Sequence, residues 1–150
     1  MDVVIVLPII VFLLVLRYYI TDHETAVDKD RKQYAEGIAL YEAQDYKEAF
    51  GYFNQVLTKN RKSALAFAYR GKCNKQEENF HSALYDFTQA LSYDNTLVEV
   101  HLNKGEVLYQ LKEYNDAFLS FDKAVWFSRG KNSEAIRWRN LAEEKRHVLK

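Results

Sequence analysis

From Val3 to Leu16 the residues are apolar without interruption (VVIVLPIIVFLLVL), and Arg17, Tyr18, Tyr19 and Ile20 extend the stretch with a single charge. At ~1.5 Å per residue, a helix over 3–20 is ~27 Å long, close to the ~30 Å hydrocarbon core of a bilayer. A buried core helix keeps polar positions on one face, and Val3 to Leu16 has none. A cleaved leader starts with basic residues and ends at small ones; this stretch starts Met-Asp and lacks such a site. The pattern therefore predicts an uncleaved transmembrane helix over 1–20, with Pro8 tolerated in its first half and Tyr18, Tyr19 and Arg17 at headgroup level. Arg17 follows the stretch and Asp2 precedes it, which places the rest of the chain on the cytoplasmic side. Residues 21–29 (TDHETAVDK) are polar and predict a linker.

Beyond the linker, one pattern recurs every 34 residues. Gly37, Gly71 and Gly105 form one column; Ala49, Ala83 and Ala117 a second; Phe53, Phe87 and Phe121 a third; Tyr46, Phe80 and Tyr114 a fourth. Val56, Ala90 and Ala124 follow the third column by three, on the same helical stripe. A glycine within a helix costs ~1 kcal/mol against alanine, so a glycine kept three times predicts a close helix approach. Small alanines predict a second tight crossing, and the aromatic columns fill the space between. Each unit reads as two antiparallel helices, with Asp45, Asn79 and Glu113 at the bend.

The segments EGIALYEAQDYKEAFGYFNQVL, RGKCNKQEENFHSALYDFTQAL and KGEVLYQLKEYNDAFLSFDKAV resemble the tetratricopeptide repeat over three units, 30–63, 64–97 and 98–131. Three features depart from that repeat. Arg61, Asn95 and Arg129 replace its proline; Gln44, Glu78 and Lys112 replace its turn glycine; and its early aromatic survives only as Phe67, beside Gln33 and His101. The expected fold is all-α: an N-terminal transmembrane helix, a solenoid of three helix pairs, and a capping helix over 132–150. Asn132 or Ser133 would cap that last helix at its N-terminus, and Trp138 would bury against the third unit.

The resemblance implies a groove lined by the first helix of each unit. Its expected lining is Arg31, Tyr34, Ile38 and Tyr41 from the first unit. The second supplies Leu65, Tyr69, Lys72 and Lys75, and the third Glu99, Asn103, Glu106 and Tyr109. Tyrosine offers contact area at low entropy cost and a hydroxyl for backbone groups, which suits a partner peptide or helix. Members that receive chaperone tails clamp a carboxylate with Lys and Asn, then Asn, then Lys and Arg. The corresponding places hold Tyr34, Ile38, Tyr69, Glu99 and Asn103, and Glu99 would repel a carboxylate. Shifted by one unit the places hold Ala68, Lys72, Asn103, Ser133 and Arg137, two of which match.

Composition narrows the function further. Lys plus Arg and Asp plus Glu both number 21 in 150 residues, which argues against a broadly basic nucleic-acid binder. The one cysteine, Cys73, falls in a core column and reads as an inert buried thiol. His23, His81, His101 and His147 are not at metal-ligand spacing, and no phosphate-binding glycine loop is present. No catalytic constellation, metal or cofactor is expected, nor a small-molecule substrate. The reading is a membrane-anchored scaffold or assembly factor that holds a protein partner in a tyrosine-lined groove. The alternatives are a targeting or translocation receptor for client segments, and a structural subunit that uses its transmembrane helix as the interface.

Overall fold

The computed structural model describes the backbone of residues 3–21 and 26–148. Residues 1–2, at the start of the expected transmembrane helix, 22–25, within the expected linker, and 149–150, within the expected cap, lie outside the described residues. The described residues form α1 (Val3–Thr21), α2 (Ala26–Gln33), α3 (Ala35–Glu42), α4 (Tyr46–Lys59), α5 (Ala64–Gln76), α6 (Phe80–Tyr93), α7 (Val98–Gln110), α8 (Tyr114–Phe127) and α9 (Ser133–Val148). Two units separate, Met1–Gln33 and Tyr34–Lys150.

In the first unit, α1 carries the apolar run with Pro8 inside it, and the side chains from Leu7 to Leu16 that flank Pro8 are solvent-exposed. The expected membrane span is not shown: among the described residues no helix is long and apolar enough to cross a membrane. α2 (AVDKDRKQ) is polar, with no apolar stripe to bury.

In the second unit each helix packs on the next, from α3 to α9, and α3, α5, α7 and α9 also touch in sequence. This is the expected set of three helix pairs followed by a cap. The first pair is shorter than the period predicts, because the helical run breaks at Tyr34 and α3 starts at Ala35. Ala39 is consequently exposed, while its counterparts Cys73 and Val107, on helices covered from both sides, are buried.

The glycine column is a steric requirement. A β-carbon on Gly71 would lie 2.8 Å from Cε1 of Phe87, and one on Gly105 would lie 2.5 Å from Cε1 of Phe121. On Gly37 it would lie 2.2 Å from Cδ1 of Tyr52. Phe53, Phe87 and Phe121, with the alanine columns 49/83/117 and 90/124, are wholly buried.

The turns within each pair manage without glycine. Gln44, Glu78 and Lys112 adopt φ of 66°, 57° and 64°, in the left-handed region. Around them the following residue donates to a carbonyl five back: Asp45 to Leu40 (3.0 Å), Asn79 to Asn74 (2.8 Å), Glu113 to Leu108 (2.9 Å). That is the Schellman closure, which satisfies carbonyls left open at a helix C-terminus. Between pairs, Asn60 and Asp94 accept backbone N–H groups two residues on (3.3 and 2.9 Å), a turn that replaces the missing proline. After α8 a fourth Schellman closure uses Arg129 (φ 53°) and is followed by Gly130 (φ 71°). It adds one residue, so α9 starts 35 residues after α7, where α7 starts 34 after α5. Asn132 then caps α9 through Oδ1 to the Ala135 N–H (2.9 Å), as Ser63 caps α5.

His101 takes the early aromatic position of its repeat. It stacks on Phe127 at 5.5 Å, as Phe67 stacks on Tyr93 at 5.9 Å. Its Nε2 lies 2.8 Å from the Asn95 carbonyl, an acceptor, so the ring carries its proton there. Burial lowers its pKa below the ordinary 6.5; Lys123 and Lys104 push the same way, and the Asn95 hydrogen bond opposes them. Burial also pushes the Cys73 thiol up to about 12, the inert state expected.

Two outcomes follow. Gly71→Leu should destabilise by ~1–3 kcal/mol or more in a urea titration, because Phe87 has no room to move; an unchanged midpoint would refute the helix register. The unfolded chain protonates His101 near its ordinary pKa before the folded protein does, so stability gained at higher pH is lost as pH falls from there toward the lowered value. His101→Phe should remove that component from melting curves taken across the window.

Candidate functional site

Because successive pairs repeat one geometry, the first helices α3, α5 and α7 lie side by side and present equivalent positions on one face. Lys72 of α5 sits at its centre. Its Nζ lies 2.6 Å from Glu99 Oε1 of α7, 4.7 Å from the Tyr41 ring centre of α3 and 4.4 Å from that of Tyr69. The ammonium thus lies over two aromatic faces, a geometry stabilised by the ring quadrupoles. One turn on, Lys75 donates to Asn103 Oδ1 (2.6 Å) and to the Glu106 carboxylate. Asn103 donates in turn to the Glu99 backbone carbonyl (2.8 Å), and Gln76 donates to the Tyr41 hydroxyl (3.4 Å). Burial raises the Tyr41 pKa, so the phenol stays protonated at neutral pH.

The face therefore gathers Tyr41, Tyr69, Lys72, Lys75, Glu99, Asn103 and Glu106. Tyr109 continues it toward α9, with its ring 5.3 Å from Trp138. Other expected lining residues are placed elsewhere. Arg31 stands on α2, in the other unit. Tyr34 is 2% exposed and accepts a hydrogen bond from Asn60 Nδ2 (3.3 Å), so it packs inside the first pair. Leu65 is buried, and Ile38 is half-buried. Tyr69 stacks on Phe53 (5.1 Å, 17°), so one side of its ring is core and the other holds Lys72.

The chaperone-tail frame weakens further in the structure. The inserted residue before α9 moves Trp138, not Arg137, into the place that Tyr69 and Asn103 hold in their repeats. The stacking of Trp138 on Phe121 (5.8 Å, 15°), like that of Tyr69 on Phe53, fixes this register. Of the shifted frame only Asn103 then matches, and Lys75 already occupies it.

On another face lies a network the periodicity did not single out. Arg70 binds Asp86 through Nε (3.0 Å to Oδ2) and Nη2 (2.6 Å to Oδ1) and reaches Asn54 through Nη1 (2.9 Å). Asn74 donates to the same carboxylate at 2.9 Å. Asp86 is buried beside the core Phe87. Its signal was a carboxylate next to a core column, where the other repeats hold Tyr52 and Ser120. The contact from Asn54 to Arg70 recurs as Lys104 to Thr88 (3.0 Å) and Arg139 to Asp122 (3.5 Å), a polar ladder between successive pairs.

The face holds no paired nucleophile and base. Among the described residues no group of three or more His, Cys, Asp or Glu side chains could hold a metal. What it offers is alternating charge and aromatic rings.

No family model matches the chain. Human DnaJ homolog subfamily C member 7 is 29% identical over 120 residues, 77% of this chain and 24% of that protein. The chain thus spans about a quarter of the length of the curated relatives it first matches. Among solved structures, the Arabidopsis OM64 TPR domain superposes with TM-score 0.72 at 19% identity, covering 79% of this chain and 97% of that one. The second TPR domain of human RPAP3, solved with the HSP70 peptide SGPTIEEVD, gives TM-score 0.68 at 19% identity, covering 73% and 90%. The repeat domain has the tetratricopeptide-repeat fold.

The two ion pairs differ in burial, and so in consequence. Arg70→Met strands a buried carboxylate and should cost ~3–5 kcal/mol. Lys72→Met opens a pair whose acid is 63% exposed and should cost at most ~1 kcal/mol. Urea midpoints of the two variants measured together check the order; a reversed order would sink the assignment of the core pair.

Proposed function

We propose that this chain is a membrane-tethered scaffold or assembly factor whose α3/α5/α7 face captures a partner peptide or helix. The observation that carries it is the assembly of Tyr41, Tyr69, Lys72, Lys75, Glu99 and Glu106 on one surface built from three successive helices. A partner gains there by exchanging internal pairs for intermolecular ones and by covering tyrosine rings. The tether is proposed for residues 3–20, whose sequence has the length and apolarity of a span, and the exposed side chains on α1 support it. Arg17 favours the cytoplasmic side for the repeats.

A co-chaperone role is the second reading, favoured by the kind of relatives the chain matches. It would have to dispense with the carboxylate clamp, since Glu99 stands at one clamp position and Lys72 and Lys75 are engaged. Binding of client segments by a transient receptor would instead be weak and salt-sensitive.

Pull-down of the full chain in mild detergent, read by mass spectrometry, tests the scaffold. Tyr41→Ala combined with Glu99→Lys should lower partner recovery at least tenfold while circular dichroism stays unchanged; full recovery would move the site off this face. Calorimetry with the peptide SGPTIEEVD should give no saturable binding, and a micromolar Kd would establish the co-chaperone reading instead. Resistance of the full chain to alkaline carbonate extraction tests the tether.

A further inference from the structure

The largest exposed aromatic in the described residues is Trp126, at 77% exposure on α8. It contradicts its own column. The counterparts one and two repeats earlier are Ser92 and Thr58, each turned back onto a carbonyl three residues before it (2.7 Å). At a position that two repeats give to water, the third places an indole.

Its neighbours are basic. Lys123 precedes it by three residues and also borders the adjacent cleft with His101, Lys104 and Asp116. Arg129 and Gly130, with Trp126 itself, Val125 and Phe127, bound a cleft of about 580 Å³. Lys131 follows in the same turn, and all three cations are exposed and form no ion pair among the described residues. The nearby acid Asp122 faces Arg139 at 3.5 Å. The left-handed pair Arg129–Gly130 sets this turn, and it has no equivalent in the first two repeats.

From this patch we propose a second membrane contact: Trp126, with Lys123, Arg129 and Lys131, docks the repeat domain on an anionic phospholipid surface. The apolar area decides for lipid over protein. One indole buries ~150–250 Å², far below the ~1,200–2,000 Å² of a stable protein interface. Leu119, the next exposed apolar residue of α8, is two turns away with Asp122 and Lys123 between. A bilayer asks only for an amphipathic ring at headgroup depth and cations near lipid phosphates. The proposal rests on the tether only for local concentration, which lets so small a contact be populated.

The test uses the full chain in nanodiscs of phosphatidylcholine, with or without phosphatidylserine, and the wild-type fluorescence minus that of Trp126→Phe. On anionic discs the Trp126 signal should shift to the blue, and brominated lipid should quench it several-fold more than on neutral discs. High salt, or Lys123→Gln with Arg129→Gln and Lys131→Gln, should abolish the difference. Equal quenching on both discs overturns the proposal. So does a Trp126 open to acrylamide on anionic discs yet protected in a complex with a co-purified protein, which would make the occupant a protein. If the chain fails to enter discs the tether fails, and sedimentation with vesicles of the same lipids decides the patch alone. Salt-sensitive binding to the anionic vesicles sustains it; none overturns it.

Discussion

The contact between a glycine on the first helix of each pair and an aromatic ring on the second is the constraint on which the repeat domain depends. With no β-carbon at Gly71 or Gly105, the edge of Phe87 or Phe121 lies where a side chain would begin. Those rings are in turn wholly buried, with the alanine columns closing the other side. The glycine costs ~1 kcal/mol of helix propensity each time. Burial of an aromatic ring is worth more than that. Each following pair carries the same columns at the same spacing and packs on the one before it through α4–α5 and α6–α7. That is why α3, α5 and α7 share a face, and why equivalent residues meet across it.

The connections show how a strict spacing survives loss of its usual residues. Three turns keep the left-handed conformation with glutamine, glutamate and lysine where glycine has no steric cost. The closure of two carbonyls around each turn compensates, so the geometry outlives the residue type. The same closure after α8 carries an extra residue, and the one-residue shift reassigns every position on α9. Trp138, not Arg137, then packs on Phe121 and Tyr109. A turn of five residues thereby decides which side chain ends the face.

The sequence made the period, the helix pairs and the buried columns legible, because one residue size recurring at one spacing has a single physical cause. Site residues were less legible. Position in a repeat says which way a side chain points, not what its neighbour offers. Tyr69 was expected on the surface and is buried, with Phe53 stacked on its ring and the Lys72 ammonium over it. Tyr34 was expected beside it and is buried, because the helical run breaks at this residue and its hydroxyl meets Asn60 at the end of α4. Asp86 escaped notice because a carboxylate beside a core column reads as solvated until Arg70 and Asn74 are seen to enclose it.

A face whose charges are already paired is not thereby closed. Lys72–Glu99 and Lys75–Glu106 join α5 to α7, so they set the spacing of two repeats at modest energetic cost, since Glu99 is largely in water. A partner that offers its own acid to Lys72 and its own base to Glu99 exchanges one pair for two and leaves no charge stranded. A partner that offers only a carboxylate leaves Glu99 facing it. On the proposed reading, pairing would filter partner chemistry: it would disfavour a bare acidic tail and favour a segment carrying both signs, with apolar side chains to lay against Tyr41 and Tyr109. The pairs that keep the repeats in register would then be the same pairs that select a partner on the proposed reading.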